Sequence, residues 1–234
     1  MKKLPGKCGH WVAHRGIPAH YPDNSLEGLR AVLEAGVGFV EFDIQLTLDG
    51  VPLLFHDANM LKATGVDARV GDLTWEQLHL RSLPSLAEVV ALLADYPETT
   101  VFAEIKTIAL RCGVKRAMEA ILTTLAPIRG RCVLISFHAS LLMRIRECEN
   151  WPIGWIFETW SETNRRRAKR ISPEYLFVNY ARIPDGERLF AGPWHWVVYE
   201  ISDFNLAQYW LQQGAALIET NDLFEMVRRG SDNL

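Results

Sequence analysis

Between Val40 and Leu46 apolar and polar residues alternate without a break. Val40, Phe42, Ile44 and Leu46 share one face of an extended chain, and Glu41, Asp43 and Gln45 share the other, so the spacing predicts a strand over 39–46. Carboxylates at Glu41 and Asp43, on one face of one strand, repel each other unless a cation sits between them. Asp49-Gly50 is a tight-turn signal, after which the run 51–55 returns and delivers His56-Asp57 to the end of a second segment.

The same reading carries along the chain. Residues 11–14 form a short apolar run, a first buried strand. Asn24 then caps a helix, with Glu27 completing a capping box, an apolar stripe at Leu26, Leu29, Ala31, Val32 and Leu33, and Gly36 as the stop. Residues 57–84 are polar and irregular, with one short helix around 74–77. Ser85 caps a helix carrying Leu86, Val89, Val90, Leu92 and Leu93. Strands are predicted at 100–106, 132–136, 153–157, 175–179, 196–201 and 215–219. Helices are predicted at 113–126 (ended by Pro127), 139–147, 162–171, 185–191, 203–213 and 221–229. That amounts to about eight strand–helix units, the content of a TIM (β/α)8 barrel of roughly 250 residues. A doubly wound sheet is the alternative, but its Gly-rich first loop is absent. No linker divides residues 1–234, so a single domain is expected, with a short insertion after the second strand.

Composition adds bounds. The chain has 234 residues, 49% hydrophobic and 23% charged, with a net charge of −3. Nothing in that balance points to nucleic acid or an anionic membrane. The basic start lacks an apolar run behind it, so no signal peptide is read, and no stretch is long enough to span a bilayer. Cys8, Cys112, Cys132 and Cys148 are scattered, which suits reduced thiols in a cytoplasmic protein. The basic run 165–170 reads as a solvated outer helix face, and the tryptophans as packing residues. His20, His79, His138 and His195 receive no catalytic role.

Active sites of such barrels lie at the carboxyl ends of the strands. The polar residues there are His14, Arg15, Glu41, Asp43, His56, Glu104, Lys106, Ser136, Asn179, Glu200 and Glu219. Glu41, Asp43 and Glu104 offer hard oxygen ligands, favouring Mg2+ or Ca2+. Arg15 and Lys106 suit a phosphate, one as a planar fork and the other as a point charge, and Lys106 can pair with Glu104 at the same time. His14 and His56 can trade protons near neutral pH. Together these groups describe phosphodiester cleavage.

Those residues also carry a family resemblance. His14-Arg15-Gly16, Pro22-Asp23-Asn24-Ser25, Glu41-Phe42-Asp43, Asp49-Gly50 and His56-Asp57 resemble the glycerophosphodiester phosphodiesterase family. Leu83-Pro84-Ser85-Leu86, Glu104-Ile105-Lys106 and Glu219-Thr220-Asn221-Asp222 look like its later signatures. The resemblance implies a metal-dependent hydrolase that releases an alcohol and glycerol 3-phosphate. His14 and His56 match the acid/base pair, Glu41, Asp43 and Glu104 the metal ligands, and Arg15 and Lys106 the phosphate contacts. The implied partner is a small-molecule glycerophosphodiester, without nucleic acid or membrane insertion. Two positions depart from the pattern: Asp23 stands where Glu is usual, and Tyr199-Glu200-Ile201-Ser202 stands where Trp-Thr-Val-Asn is common. Glu200 is either a substrate contact or a partner for Arg182 or Lys169. The alternatives are a lysophospholipase D-like hydrolase of a lipid diester and a non-catalytic phosphoester-binding barrel.

Overall fold

The computed structural model describes residues 9–107, 109 and 113–232. Cys8, Cys112 and the basic start of the chain lie outside the described residues. Eight parallel strands close on themselves: β1 (Trp11–Ala13), β2 (Phe39–Leu46), β4 (Thr100–Ile105), β5 (Cys132–Ser136), β6 (Ile153–Phe157), β7 (Tyr175–Asn179), β8 (His195–Tyr199) and β9 (Leu217–Thr220). β1 pairs in parallel with both β2 and β9, which joins the two edges of the sheet. The remaining strand, β3 (Pro52–Leu54), runs antiparallel to the end of β2, with Ile44 opposite Leu54 and Leu46 opposite Pro52. The fold is the TIM barrel expected, with β3 as an extension of the second unit.

The helices are α1 (Leu26–Glu34), α2 (Leu61–Thr64), α3 (Trp75–Leu78), α4 (Leu86–Ala94), α5 (Val114–Leu125), α6 (Ala139–Glu149), α7 (Glu162–Ile171), α8 (Phe204–Gln212) and α9 (Leu223–Asp232). Among the described residues no helix is long and apolar enough to cross a membrane. The start of α4 is as read, with Ser85 and Glu88 capping each other's backbone N–H. The start of α1 is not. Ser25, one residue later than expected, accepts from the Gly28 N–H, and Asn24 is turned to another use described below.

The expected helix at 185–191 is absent. The chain instead makes a short 3-10 turn at Tyr180–Arg182 and then runs irregularly. Pro184, the left-handed Gly186 and Gly192-Pro193 break the segment too often for a helical turn to propagate. The basic run on α7 is only partly a solvated face. Arg165 lies over the rings of Trp160 and Phe190, each 5.3 Å from the ring centre, and Arg167 lies over Trp155 at 5.5 Å.

The alternation in β2 is used on both faces. Val40, Phe42, Ile44 and Leu46 join the core between sheet and helices. Inside the barrel, Val12, Phe102, Val133, Ile135, Ile156, Phe177, Val197 and Leu217 form a second, apolar core, with Phe39 packed against it. Two residues further along β1, β2, β4 and β9, the inward positions become His14, Glu41, Glu104 and Glu219. Along β5, β6 and β7 they stay apolar. One half of the mouth is therefore charged and the other greasy.

Phe102 is the centre of the apolar core. Its ring stacks on Phe39 at 5.9 Å and meets Tyr175 and Phe177 edge-on at 4.9 and 5.1 Å. Truncation there leaves a cavity that a closed barrel cannot collapse. Phe102→Ala is expected to lower stability by about 3–5 kcal/mol, read as a fall in the urea midpoint. A loss under about 1 kcal/mol would show that the interior relaxes around the gap.

Candidate active site

The turn after β1 is built from two left-handed residues, Arg15 (φ 50°) and Gly16 (φ 84°). A Cβ at Gly16 would come within 2.9 Å of the Gly28 carbonyl carbon, so only glycine lets α1 pack this closely. The turn aims the Arg15 backbone N–H at Glu41 Oε2, 3.2 Å away. It also places Nε of Arg15 3.1 Å from Asp43 Oδ2 and Nη1 3.0 Å from Asp23 Oδ2.

Asn24 completes this corner. Its backbone is left-handed (φ 59°), its Nδ2 donates to Asp43 Oδ2 at 2.9 Å, and its Oδ1 accepts from the Asp43 N–H at 3.0 Å. The residue read as a helix cap is a clamp on a candidate metal ligand. Asn tolerates the left-handed region better than most residues, which is why it can stand there.

Glu41 and Asp43 are 2% and 1% exposed, so a half-solvated acidic strand does not describe them. Asp43 pairs in register with Glu104 of β4. Lys106, just beyond β4, bridges them, with Nζ 3.3 Å from Asp43 Oδ1 and 3.0 Å from Glu104 Oε1. Gln45, the last inward residue of β2, donates through Nε2 to the carbonyls of Phe55 and Asp57 at 3.0 and 2.8 Å. That fastens the loop carrying His56, whose Nδ1 lies 2.8 Å from Asp57 Oδ1.

His14 is fixed from the far side. Its Nδ1 lies 2.6 Å from Asn221 Oδ1, an acceptor, so Nδ1 carries the proton and Nε2 keeps its lone pair. Nε2 faces Glu219 Oε1 at 3.6 Å and Glu41 Oε2 at 3.8 Å. Burial, with help from the Arg15 charge, lowers the His14 pKa to about 4, so the ring is neutral at pH 7.

The seven residues read as the site converge. His14, Arg15, Glu41, His56, Glu104 and Lys106 line one cavity of about 200 Å³ at the carboxyl ends of the strands, and Asp43 lies beneath it, bound to Arg15 and Lys106. Ser136, also at a strand end, is instead buried and hydrogen-bonded to the Ile105 carbonyl. Asn24, Gln45 and Asn221 were given no such role by sequence reasoning, and Glu219 was read only as a polar residue at a strand end. For Gln45 the two-residue period already placed it on the face of Glu41 and Asp43. For Asn24 and Asn221 no local signal existed.

The carboxylates suit a hard divalent cation. Burial raises Asp43, but the charges of Lys106 and Arg15 outweigh it and hold the group at about 2. Burial and the Asp43 charge push Glu41 well up and bring Glu104 to about 7, and burial foremost brings Glu219 to about 8. Asp43 Oδ1 and Glu219 Oε2 are buried without a hydrogen bond. Ligand atoms of Glu41, Asp43 and Glu104 lie within 4.8 Å of one another, as do those of His14, Glu41 and Glu219. Acids crowded so closely must carry protons or hold a cation, and an all-oxygen trio favours Mg2+ or Ca2+ over softer metals.

A pH signature follows. Raised acids stabilise the fold below their unfolded pKa, and that contribution is lost as pH rises through the folded values of about 7 and 8 for Glu104 and Glu219. His14, with its depressed pKa, already contributes fully above its ordinary 6.5 and so does not oppose this trend. Cation-free protein is therefore expected to lose Tm between pH 6.5 and 8.5, and added Ca2+ or Mg2+ to raise Tm more at the upper pH. Calorimetric scans in chelator and in excess cation measure both; a flat Tm in chelator contradicts the crowding.

A profile described as the glycerophosphoryl diester phosphodiesterase family matches residues 14–191. A glycerophosphodiester phosphodiesterase of Caldanaerobacter subterraneus is 26% identical over 250 residues, covering 94% of this chain and 98% of its relative. Glycerophosphodiester phosphodiesterase 1 of Bos taurus is 27% identical over 166 residues, covering 64% of this chain but 49% of the bovine protein. The chain thus spans about half the length of that mammalian relative. Among solved structures, an Oleispira antarctica phosphodiesterase in complex with the product sn-glycerol-3-phosphate superposes with a TM-score of 0.81 at 18% identity, covering 95% of this chain and 96% of the other. A glycerophosphodiester phosphodiesterase from Thermotoga maritima gives 0.74 at 20% identity, covering 94% and 97%. At such identities the superpositions establish the fold, and the profile match over residues 14–191 establishes the family: this chain belongs to the glycerophosphoryl diester phosphodiesterases.

Proposed function

We propose that the protein hydrolyses glycerophosphodiesters to an alcohol and glycerol 3-phosphate, using a divalent cation. The observation that carries this reading is the meeting of two cations, three oxygen ligands and two imidazoles at one cavity. Arg15 and Lys106 would hold the non-bridging phosphoryl oxygens and offset their charge as it grows. Glu41, Asp43 and Glu104 would hold the cation, Mg2+ or Ca2+, which when bound supplies further charge stabilisation at the phosphoryl group.

The two imidazoles divide the proton work. His14 presents a lone pair at Nε2 with its tautomer locked by Asn221. It suits removal of a proton from the attacking hydroxyl, and the imidazolium so formed would face Glu41 and Glu219. His56 is the more exposed ring and is oriented by Asp57. It suits delivery of a proton to the leaving oxygen, after which solvent can reload it. The free thiols of Cys132 and Cys148 support a reducing, cytoplasmic setting.

A second reading is favoured by one feature. Beside His56 opens a groove of about 520 Å³ whose walls include Tyr21, Phe55, Ala63, Leu83 and Pro84. An acyl chain could lie there, which suits a lipid diester of the lysophospholipase D type. Turnover of lysophosphatidylcholine beside glycerophosphocholine, each followed by head-group release, separates the two.

Chelator is expected to abolish activity, and His14→Ala or His56→Ala to lower kcat by about 10²–10⁴-fold with an unchanged circular dichroism spectrum. Full turnover in excess EDTA would falsify the cation-dependent mechanism.

A further inference from the structure

The six large hydrophobic side chains that stand exposed among the described residues are not spread evenly. Tyr21 lies between β1 and α1, Leu48, Leu61 and Leu80 between β2 and α4, and Phe137 between β5 and α6. Tyr209 alone lies on an outer barrel helix, α8. The other five sit on connections that follow the carboxyl ends of strands, the face on which the cavity opens. One exposed leucine needs no explanation, but apolar side chains gathered on one face mark a contact surface.

Two of the five matter most. Leu61 opens α2 and is 55% exposed, and Leu80, in the 3-10 turn His79–Arg81, is 83% exposed. Their segment is not short of a core, because Met60 and Leu78 are fully buried with Leu53, Phe55 and Val70. The outward leucines beside them are surplus to the folding of the insertion. Lys62 and Arg81, their immediate neighbours, line the groove of about 520 Å³ that opens beside His56, so both leucine-bearing tips border one opening. Among the described residues neither Lys62 nor Arg81 forms an ion pair. Asp23, Glu27 and Asp57 line the same groove, so charges of both signs surround it.

We propose that this face docks reversibly on a zwitterionic phospholipid surface, with Leu61 and Leu80 entering the acyl boundary and Lys62 and Arg81 meeting lipid phosphates. The inference rests on the lipid-diester reading above and adds the surface from which that substrate is drawn. Charge selects the occupant. Phosphocholine head groups carry a phosphate for Lys62 and Arg81 and an ammonium for the acids, whereas a strongly anionic surface would be repelled by Asp23, Glu27 and Asp57. A folded protein seated over these loops would cap the cavity and shut out any diester, while a bilayer brings the diester with it. Two leucines and two cations give reversible binding, not anchoring.

Phosphatidylcholine vesicles titrated against the full chain, with bound protein separated by flotation, test this without any turnover. Each leucine is expected to contribute about tenfold to partitioning. The double variant Leu61→Ser with Leu80→Ser should therefore bind far more weakly at an unchanged circular dichroism spectrum, while Tyr209→Ser binds as wild type does. In parallel, the double variant should lower kcat/KM for lysophosphatidylcholine held in vesicles and leave glycerophosphocholine turnover unchanged. A wild type that ignores the vesicles, or a double variant that binds them equally well, overturns the docking. So does binding that appears only when phosphatidylglycerol is added, or a leucine-dependent dimer without vesicle binding, which would assign the face to a second copy. Leucine-dependent binding with no lysophosphatidylcholine cleaved would instead sink the lipid-diester reading and leave the docking standing.

Discussion

Asp43 stays ionised where burial alone would protonate it, and the mouth of the barrel depends on that. The group is reached from three directions: Arg15 beyond β1, Asn24 before α1 and Lys106 beyond β4. These contacts do two jobs at once. They hold together three loops that the barrel topology only brings near each other, and they hold the carboxyl at about 2. A fixed negative charge at the centre then acts on its neighbours. The Asp43 charge is, after burial, the largest influence raising Glu41 and Glu104. The cluster is thus strained electrostatically by its own best-anchored member, and that strain is what gives it an appetite for a cation.

The placement of residues at the mouth was legible wherever it coincided with a period or a strand end. Two-residue alternation placed Glu41, Asp43 and Gln45 on one face of a strand, and the strand ends named His14, Glu104, Lys106 and Glu219. What could not be read was partnership across the fold. Asn24 sits two residues after a proline and before a run of helix formers, so local propensity reads a cap. Its real partner, Asp43, is 19 residues away and is met only once α1 has packed. Asn221 and His14 are separated by 207 residues and meet because β9 closes on β1. The helix expected at 185–191 failed for the opposite reason. Glycine and proline backbone preferences break the segment, and Phe190 packs in ring contacts with Trp160, Trp194 and Trp196 instead.

Fold and site also divide the barrel interior between them. The apolar layer around Phe102 supplies the burial that closes the sheet, and it costs nothing in charge. Only the layer above it, on β1, β2, β4 and β9, bears the desolvation of acids and imidazole. The opposite half, at Ile135, Ile156 and Phe177, stays apolar up to the cavity itself. A low-dielectric wall facing a charged one strengthens each interaction between them. Such an arrangement favours ligands that are charged at one end and can shed water at the other.

The charge balance orders the events at this site. Among the described residues, the four buried carboxylates Glu41, Asp43, Glu104 and Glu219 meet Arg15 and Lys106 as fixed cations, so their full ionisation leaves two negative charges unmatched, the charge of one divalent ion. With no ion, protons must supply that balance, as the raised carboxyls require. Protons and cation therefore compete for the same oxygens, and cation binding must release protons into solution. An anionic diester approaching a deprotonated, ion-free mouth would meet net repulsion. Under the proposed function the ion would therefore bind before the substrate, at a pH set by how strongly Asp43 loads its neighbours.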